Sequence, residues 1–117
     1  MGEAQYVRIE RVDGVAAATV LREKITEHEN TPVFTELSTA AAASKHRLIL
    51  DMAQVNLLSS AGLGSLINLH KLCTSNGGRL VIHGLQEQIA GLMKLTHLHK
   101  LLVIVDSRAD ALKKAAP

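Results

Sequence analysis

The sequence predicts an α/β fold: a mostly parallel sheet of about five strands, one of them an N-terminal antiparallel strand, with alternating helices. Two observations carry this. Short apolar runs at Arg47–Met52, Arg79–His83 and Leu101–Val105 alternate with segments whose apolar residues recur at helical spacing. Ahead of them, Asp13-Gly14 separates two strand-like stretches, the signature of a tight hairpin.

Taken in order, residues Tyr6 to Val12 alternate in part, as an exposed strand does. Val15 to Leu21 is the return strand, although three alanines pack little on a pleated surface. Thr31-Pro32 reads as an N-cap followed by proline at the first helical position, with Val33, Phe34, Leu37, Ala40 and Ala41 at helical spacing behind it. Arg47-Leu48-Ile49-Leu50-Asp51-Met52 suits a strand covered on both faces. Leu63, Leu66, Ile67, Leu69, Leu72 and Cys73 mark an amphipathic helix that Asn76-Gly77-Gly78 ends, because Asn and Gly tolerate the left-handed conformation. Arg79 to His83 is the next strand. Ile89, Leu92 and Met93 mark a third helix, Leu101 to Val105 the last strand, and Ser107 to Lys114 a closing helix capped by Asp106 or Ser107. Right-handed crossovers then give a mainly parallel sheet. The pattern leaves open whether the helices cover one face or both, and the alanines hint at one crowded face.

Length and composition set limits. A chain of 117 residues suits one compact domain, 1–117. It is 47% hydrophobic but 2% aromatic, so the core is aliphatic and nothing offers rings for stacking single-stranded bases. The net charge is +2 and the basic residues are scattered, so direct nucleic-acid binding is not expected. No segment has the ~18 continuous apolar residues of a membrane span. Met1 to Asp13 lacks a basic-then-apolar signal pattern, so a cytoplasmic protein is expected. Cys73, the only cysteine, falls on an apolar helix stripe and reads as a small buried hydrophobe.

Enzymatic chemistry finds little support. Gly62 and Gly64 form a G-x-G with no third glycine at dinucleotide spacing and no Gly-Lys-Ser/Thr after it. Ser60 is not in a G-x-S-x-G elbow. The six histidines, His28, His46, His70, His83, His97 and His99, include no helical ligand pair and read as partly exposed; His97 and His99 would share a face if they lay on a strand. No metal set, cofactor or close carboxylate pair stands out. Asp51 ends a strand, where parallel folds place their sites, or simply begins a solvated turn.

Leu57-Leu58-Ser59-Ser60-Ala61-Gly62-Leu63-Gly64 remains. Ser59 or Ser60 serves as an N-cap, worth about 1 kcal/mol. A cap does not account for two glycines in the first turns of a helix, each costing up to ~1 kcal/mol relative to alanine. Their missing side chains leave a serine hydroxyl open and let another backbone approach.

These residues, with Leu48-Ile49-Leu50-Asp51-Met52 and Val55 before them, resemble the signature of the anti-sigma factor antagonists of the STAS domain family, a strand leading into a turn written D-S-S/T-G-L-G. Gly77 to Ile82 and Leu95 to Leu101 are similar to that family's next strand and T-G-L-x-x-L segment. The resemblance spans about residues 6 to 114 and implies a single STAS domain. It implies a non-enzymatic partner switch: an anti-sigma factor that is also a serine-protein kinase binds the unmodified turn and phosphorylates it, with a phosphatase as a further partner. Aligning the G-L-G places the phosphoacceptor on Ser60, with Ser59 as second choice. Asp51, Ser59, Ser60, Ala61, Gly62, Leu63 and Gly64 are then the partner-binding residues. Two departures stand out: Ser59 replaces the family's Asp, and Thr96-His97-Leu98 replaces T-G-L. A scaffold or sensory module without the switch is the alternative, and small-ligand binding a third option.

Overall fold

The computed structural model describes residues 5–117. The first four residues, which belong to the Met1–Asp13 segment and to the 1–117 span read above, lie outside the described residues. Among the described residues, seven strands and four helices follow in the order β1 (Val7–Val12), β2 (Val15–Val20), β3 (Lys24–Ile25), α1 (Glu27–Ala42), β4 (Arg47–Asp51), β5 (Leu57–Leu58), α2 (Ser60–Ser75), β6 (Arg79–His83), α3 (Glu87–Leu95), β7 (Val103–Val105) and α4 (Arg108–Ala115). A single 3-10 turn, Leu98–Lys100, follows α3.

The main sheet has five strands in the order β1-β2-β4-β6-β7. Asp13 (φ 50°) and Gly14 (φ 82°) turn the β1–β2 hairpin, and the remaining neighbours are parallel. Helices cover both faces. Leu48, Leu50, Leu80 and Ile82 point one way, into a core shared with Val33 and Leu37 of α1, Leu66 and Leu69 of α2, and Ile89 and Met93 of α3. Ile49 and Val81 point the other way, against Ala111 and Ala115 of α4. The alanines of β2 divide in the same manner: Ala16 and Ala18 join the first core and Ala17 the second. They are tolerated because β2 is buried between two layers, where small side chains admit close packing.

Two element boundaries differ from expectation. Helix α1 starts at Glu27, five residues before Pro32, the expected first helical position. Its N-cap is Thr26, whose backbone N–H and hydroxyl both donate to the Glu29 carboxylate in a capping box. These bonds hold the Glu29 carboxyl below its usual range. Pro32 therefore sits inside the helix, where it withholds the N–H that the His28 carbonyl would accept. The last strand begins at Val103, not Leu101, because the 3-10 turn closes on Leu101 and Leu102 through their N–H groups to the Leu98 carbonyl. Thus His97 and His99 do not share a strand. His97 adopts φ 61° at the start of the 3-10 turn, where the family signature has glycine, and the two rings stack 6.3 Å apart. Of the two capping candidates before α4, Ser107 accepts from the Asp110 N–H at 3.1 Å.

Cys73 is buried as expected, and burial pushes its thiol up to about 11. Native protein at pH 8 is therefore expected to resist iodoacetamide, with alkylation at one site appearing only in denaturant. Mass analysis of native and unfolded samples checks this.

His83 is not partly exposed: it is 4% exposed at the end of β6. It shares a row with Thr19 of β2 and Asp51 of β4 on the α4 side of the sheet, and Nε2 has no hydrogen-bond partner among the described residues. Burial lowers its pKa, the Asp51 carboxylate opposes that shift, and Arg108 reinforces it. The folded protein thus favours the neutral ring. Its contribution to stability is full above the ordinary pKa of about 6.5 and is lost as pH falls from there toward the depressed value. NMR titration is expected to show the His83 ring changing below the ordinary histidine range.

Candidate functional site

The serine turn is positioned by a feature too short to read from sequence. Two-residue strands β3 and β5 pair in parallel, Lys24 with Leu57 and Ile25 with Leu58. The Glu23 carbonyl accepts from the Asn56 and Leu57 N–H groups, and the Ile25 carbonyl from the Ser59 N–H at 2.9 Å. The chain therefore reaches α2 already clamped to the segment that enters α1.

The two serines take different roles. Ser59 is the N-cap (φ −73°, ψ 168°), and its Oγ accepts from the Gly62 N–H at 3.1 Å. Ser60 is the first helical residue and is exposed. Its hydroxyl forms no hydrogen bond among the described residues. Extended backbone at Ser59 followed by a helical Ser60 turns the second side chain outward while the first folds back over the helix end.

The glycines also differ, and this corrects the expectation that both serve an outside partner. A Cβ on Gly62 would lie 2.5 Å from Leu58 Cδ1 and 3.2 Å from its Cγ, with Ile25 Cγ2 at 3.5 Å. Gly62 lets the first turn of α2 rest on the β3–β5 pair, so its reason is internal packing. A Cβ on Gly64 would meet nothing within 4 Å. Only Gly64 keeps open a surface that the protein itself does not fill.

Ala61, Leu63 and Gly64 are half-buried around Ser60, and Leu57 is 44% exposed just before it. The first turn of α2 carries no acidic residue. The rim of the turn is thus neutral and partly apolar, and the unpaired N–H groups of the helix end face it with a partial positive charge. Asp51 stands apart. Its side chain belongs to the α4 side of the sheet, in the row with His83, and its Oδ1 accepts from the Ala53 N–H at 2.9 Å, tying down the loop that leaves β4. The other six sequence-derived site residues are contiguous at the start of α2.

An adjoining groove was not read from the sequence. It has a volume of about 600 Å³ and runs between α1 and α2, with Asn30, Thr35, Ser38, Ser65 and Asn68 on its walls and Phe34 among its apolar lining. The only sequence signal was that polar and apolar residues mix on both helices, which is visible in hindsight once the two are known to be neighbours. Among the described residues no cluster of three or more His, Cys, Asp or Glu side chains could hold a metal, and no helix is long and apolar enough to cross a membrane.

A mainly parallel five-stranded sheet, an antiparallel first strand and a capped serine turn at the start of the second long helix define a STAS-type domain. The chain belongs to the STAS domain family, whose model matches residues 6–111. Its fold is shared with an anti-sigma factor antagonist (STAS) domain protein from Planctomyces limnophilus, at 15% identity and a TM-score of 0.84, covering 95% of this chain and 98% of that one. An anti-sigma factor antagonist from Mycobacterium paratuberculosis matches at 22% identity and 0.77, covering 93% and 92%. The Bacillus cell fate determinant SpoIIAA in its phosphorylated form matches at 12% identity and 0.67, covering 92% and 97%.

Proposed function

We propose that this chain is an anti-sigma factor antagonist-like protein, a single non-enzymatic STAS module acting in the cytoplasm. It captures an anti-sigma factor that is also a serine-protein kinase, and phosphorylation of Ser60 releases that partner until a phosphatase restores the hydroxyl. The observation that carries this is the exposed, unbonded Ser60 side chain on a neutral rim, beside a serine already committed to capping the helix. Ser59 is the poorer acceptor because its oxygen is engaged with Gly62. Partner contacts are assigned to Ser59, Ser60, Ala61, Leu63 and Gly64, with Gly62 seating the helix and Asp51 supporting the approach loop. That SpoIIAA is known in phosphorylated and unphosphorylated forms on the same fold is consistent with a switch of this kind.

Phosphorylation adds about −1.5 to −2 charges at pH 7. The helix end tolerates that charge, since its dipole and free N–H groups favour an anion. A neutral interface does not, because burying a dianion without a counter-charge is costly.

The test is incubation of the full chain with ATP and its co-purifying kinase, followed by intact-mass and peptide analysis. A gain of roughly 80 Da, one phosphoryl group, mapped to Ser60 is expected. A second reading, a scaffold or sensory module with no switch, is favoured by Ser59 in place of the family's Asp. An unmodified chain that still holds its partner in the presence of ATP supports that reading instead.

A further inference from the structure

The opposite end of the sheet carries a second feature, independent of the serine turn. The β1–β2 hairpin, the connection from α1 to β4 and the end of α4 enclose a pocket of about 240 Å³ lined by Arg11, Gly14, Ser44, Lys45, Arg47 and Pro117, with Ala43. Three cationic side chains converge there. None has a carboxylate in ion-pair range: among the described residues the one ion pair is Arg108 with Glu10, and Asp13 on the hairpin turn makes none. Arg47 commits Nη1 to the Ala115 and Ala116 carbonyls at 3.1 and 3.0 Å, which fixes its guanidinium in place and leaves its other N–H groups.

Two further observations point to a ligand. Ser44 is 4% exposed, yet its Oγ has no hydrogen-bond partner among the described residues. A buried hydroxyl without a partner is costly and calls for an explanation. Lys45 and His46 then hold φ 55° and 61° in succession, a left-handed conformation that disfavours non-glycine residues. This strained connection is what presents Lys45 beside Ser44 at the pocket.

We propose that Arg11, Lys45 and Arg47, with the buried Ser44 hydroxyl, bind a phosphoryl group carried by a small phosphorylated metabolite or by a phospholipid headgroup. Three cationic side chains without a direct ion pair around a small concavity attract an anion. Guanidinium N–H groups match phosphate oxygens in a fixed fork, Lys45 adds a point charge, and Ser44 supplies a hydroxyl donor. Three cations favour a dianion over a monocarboxylate.

The test uses the full-length chain with inorganic phosphate as probe, read by titration calorimetry and thermal shift against chloride at matched ionic strength. Sedimentation with vesicles of phosphatidylcholine, with and without phosphatidic acid, forms a second arm. Saturable phosphate binding is expected. It should weaken at least ~10-fold in the exposed double variant Arg11→Gln/Lys45→Gln, which removes two charge-assisted contacts. Ser44→Ala removes an unpartnered hydroxyl, so it is expected to leave the free protein as stable or more so while also weakening phosphate. Phosphate binding without vesicle association identifies a soluble ligand; association that needs phosphatidic acid and is lost in the double variant identifies a headgroup. The proposal is overturned if neither probe binds better than its control, or if either variant keeps the wild-type affinity.

Discussion

Ser60→Asp is expected to fold as the unmodified chain does and to lose the proposed kinase partner. The reasons separate cleanly. The residue is exposed at the first position of α2, and its side chain makes no hydrogen bond among the described residues that the substitution would break. A carboxylate there faces the positive end of the helix, a placement worth about 0.3–1 kcal/mol in favour of the fold. The partner meets the same charge without compensation, because Leu57, Ala61, Leu63 and Gly64 around it are all uncharged. A loss of ~3 kcal/mol at the interface weakens binding by over 100-fold. Urea melts and calorimetric titration of the partner check both halves. A variant that binds as tightly as the parent would sink the switch.

The second large effect is a contrast between two glycines two residues apart. Gly62→Ala forces its methyl toward Leu58, which is 7% exposed and has little room to retreat. A destabilisation of about 1–3 kcal/mol is expected from overpacking, only partly offset by the better helix propensity of alanine. Gly64→Ala meets open space and is expected to stabilise the fold by up to ~1 kcal/mol. It also places a methyl group on the proposed docking face, so partner binding should weaken in a protein that has become more stable. Opposite shifts of the urea midpoint are the readout. Equal shifts would show that the β3–β5 pair does not constrain the first turn of α2.

Much of the architecture was legible because it follows from periodicity. The apolar runs of β4 and β6 and the stripe of α2 predict strand and helix directly. The start of α1 was missed although Thr26-Glu27-His28-Glu29 is a capping box in plain view; Thr31-Pro32 offered a competing signal, and proline is tolerated inside this helix. Strands β3 and β5 were illegible for a different reason. Two residues carry no period, and their pairing joins Lys24–Ile25 to Leu57–Leu58 across more than thirty residues of chain. The burial of His83 was likewise invisible, since the end of a strand looks exposed until α4 is known to lie across that side of the sheet.

The sequence by itself determined the α/β order, the buried thiol and the family, and it supplied the contiguous motif on which Ser60 is proposed, because each depends on local spacing or on a contiguous motif. Only the tertiary structure decided which serine caps and which protrudes, which glycine serves packing and which leaves space, and that Arg11, Lys45 and Arg47 converge on one pocket. Those outcomes depend on which distant segments meet, and no local pattern encodes the distance between residues that the fold alone brings together.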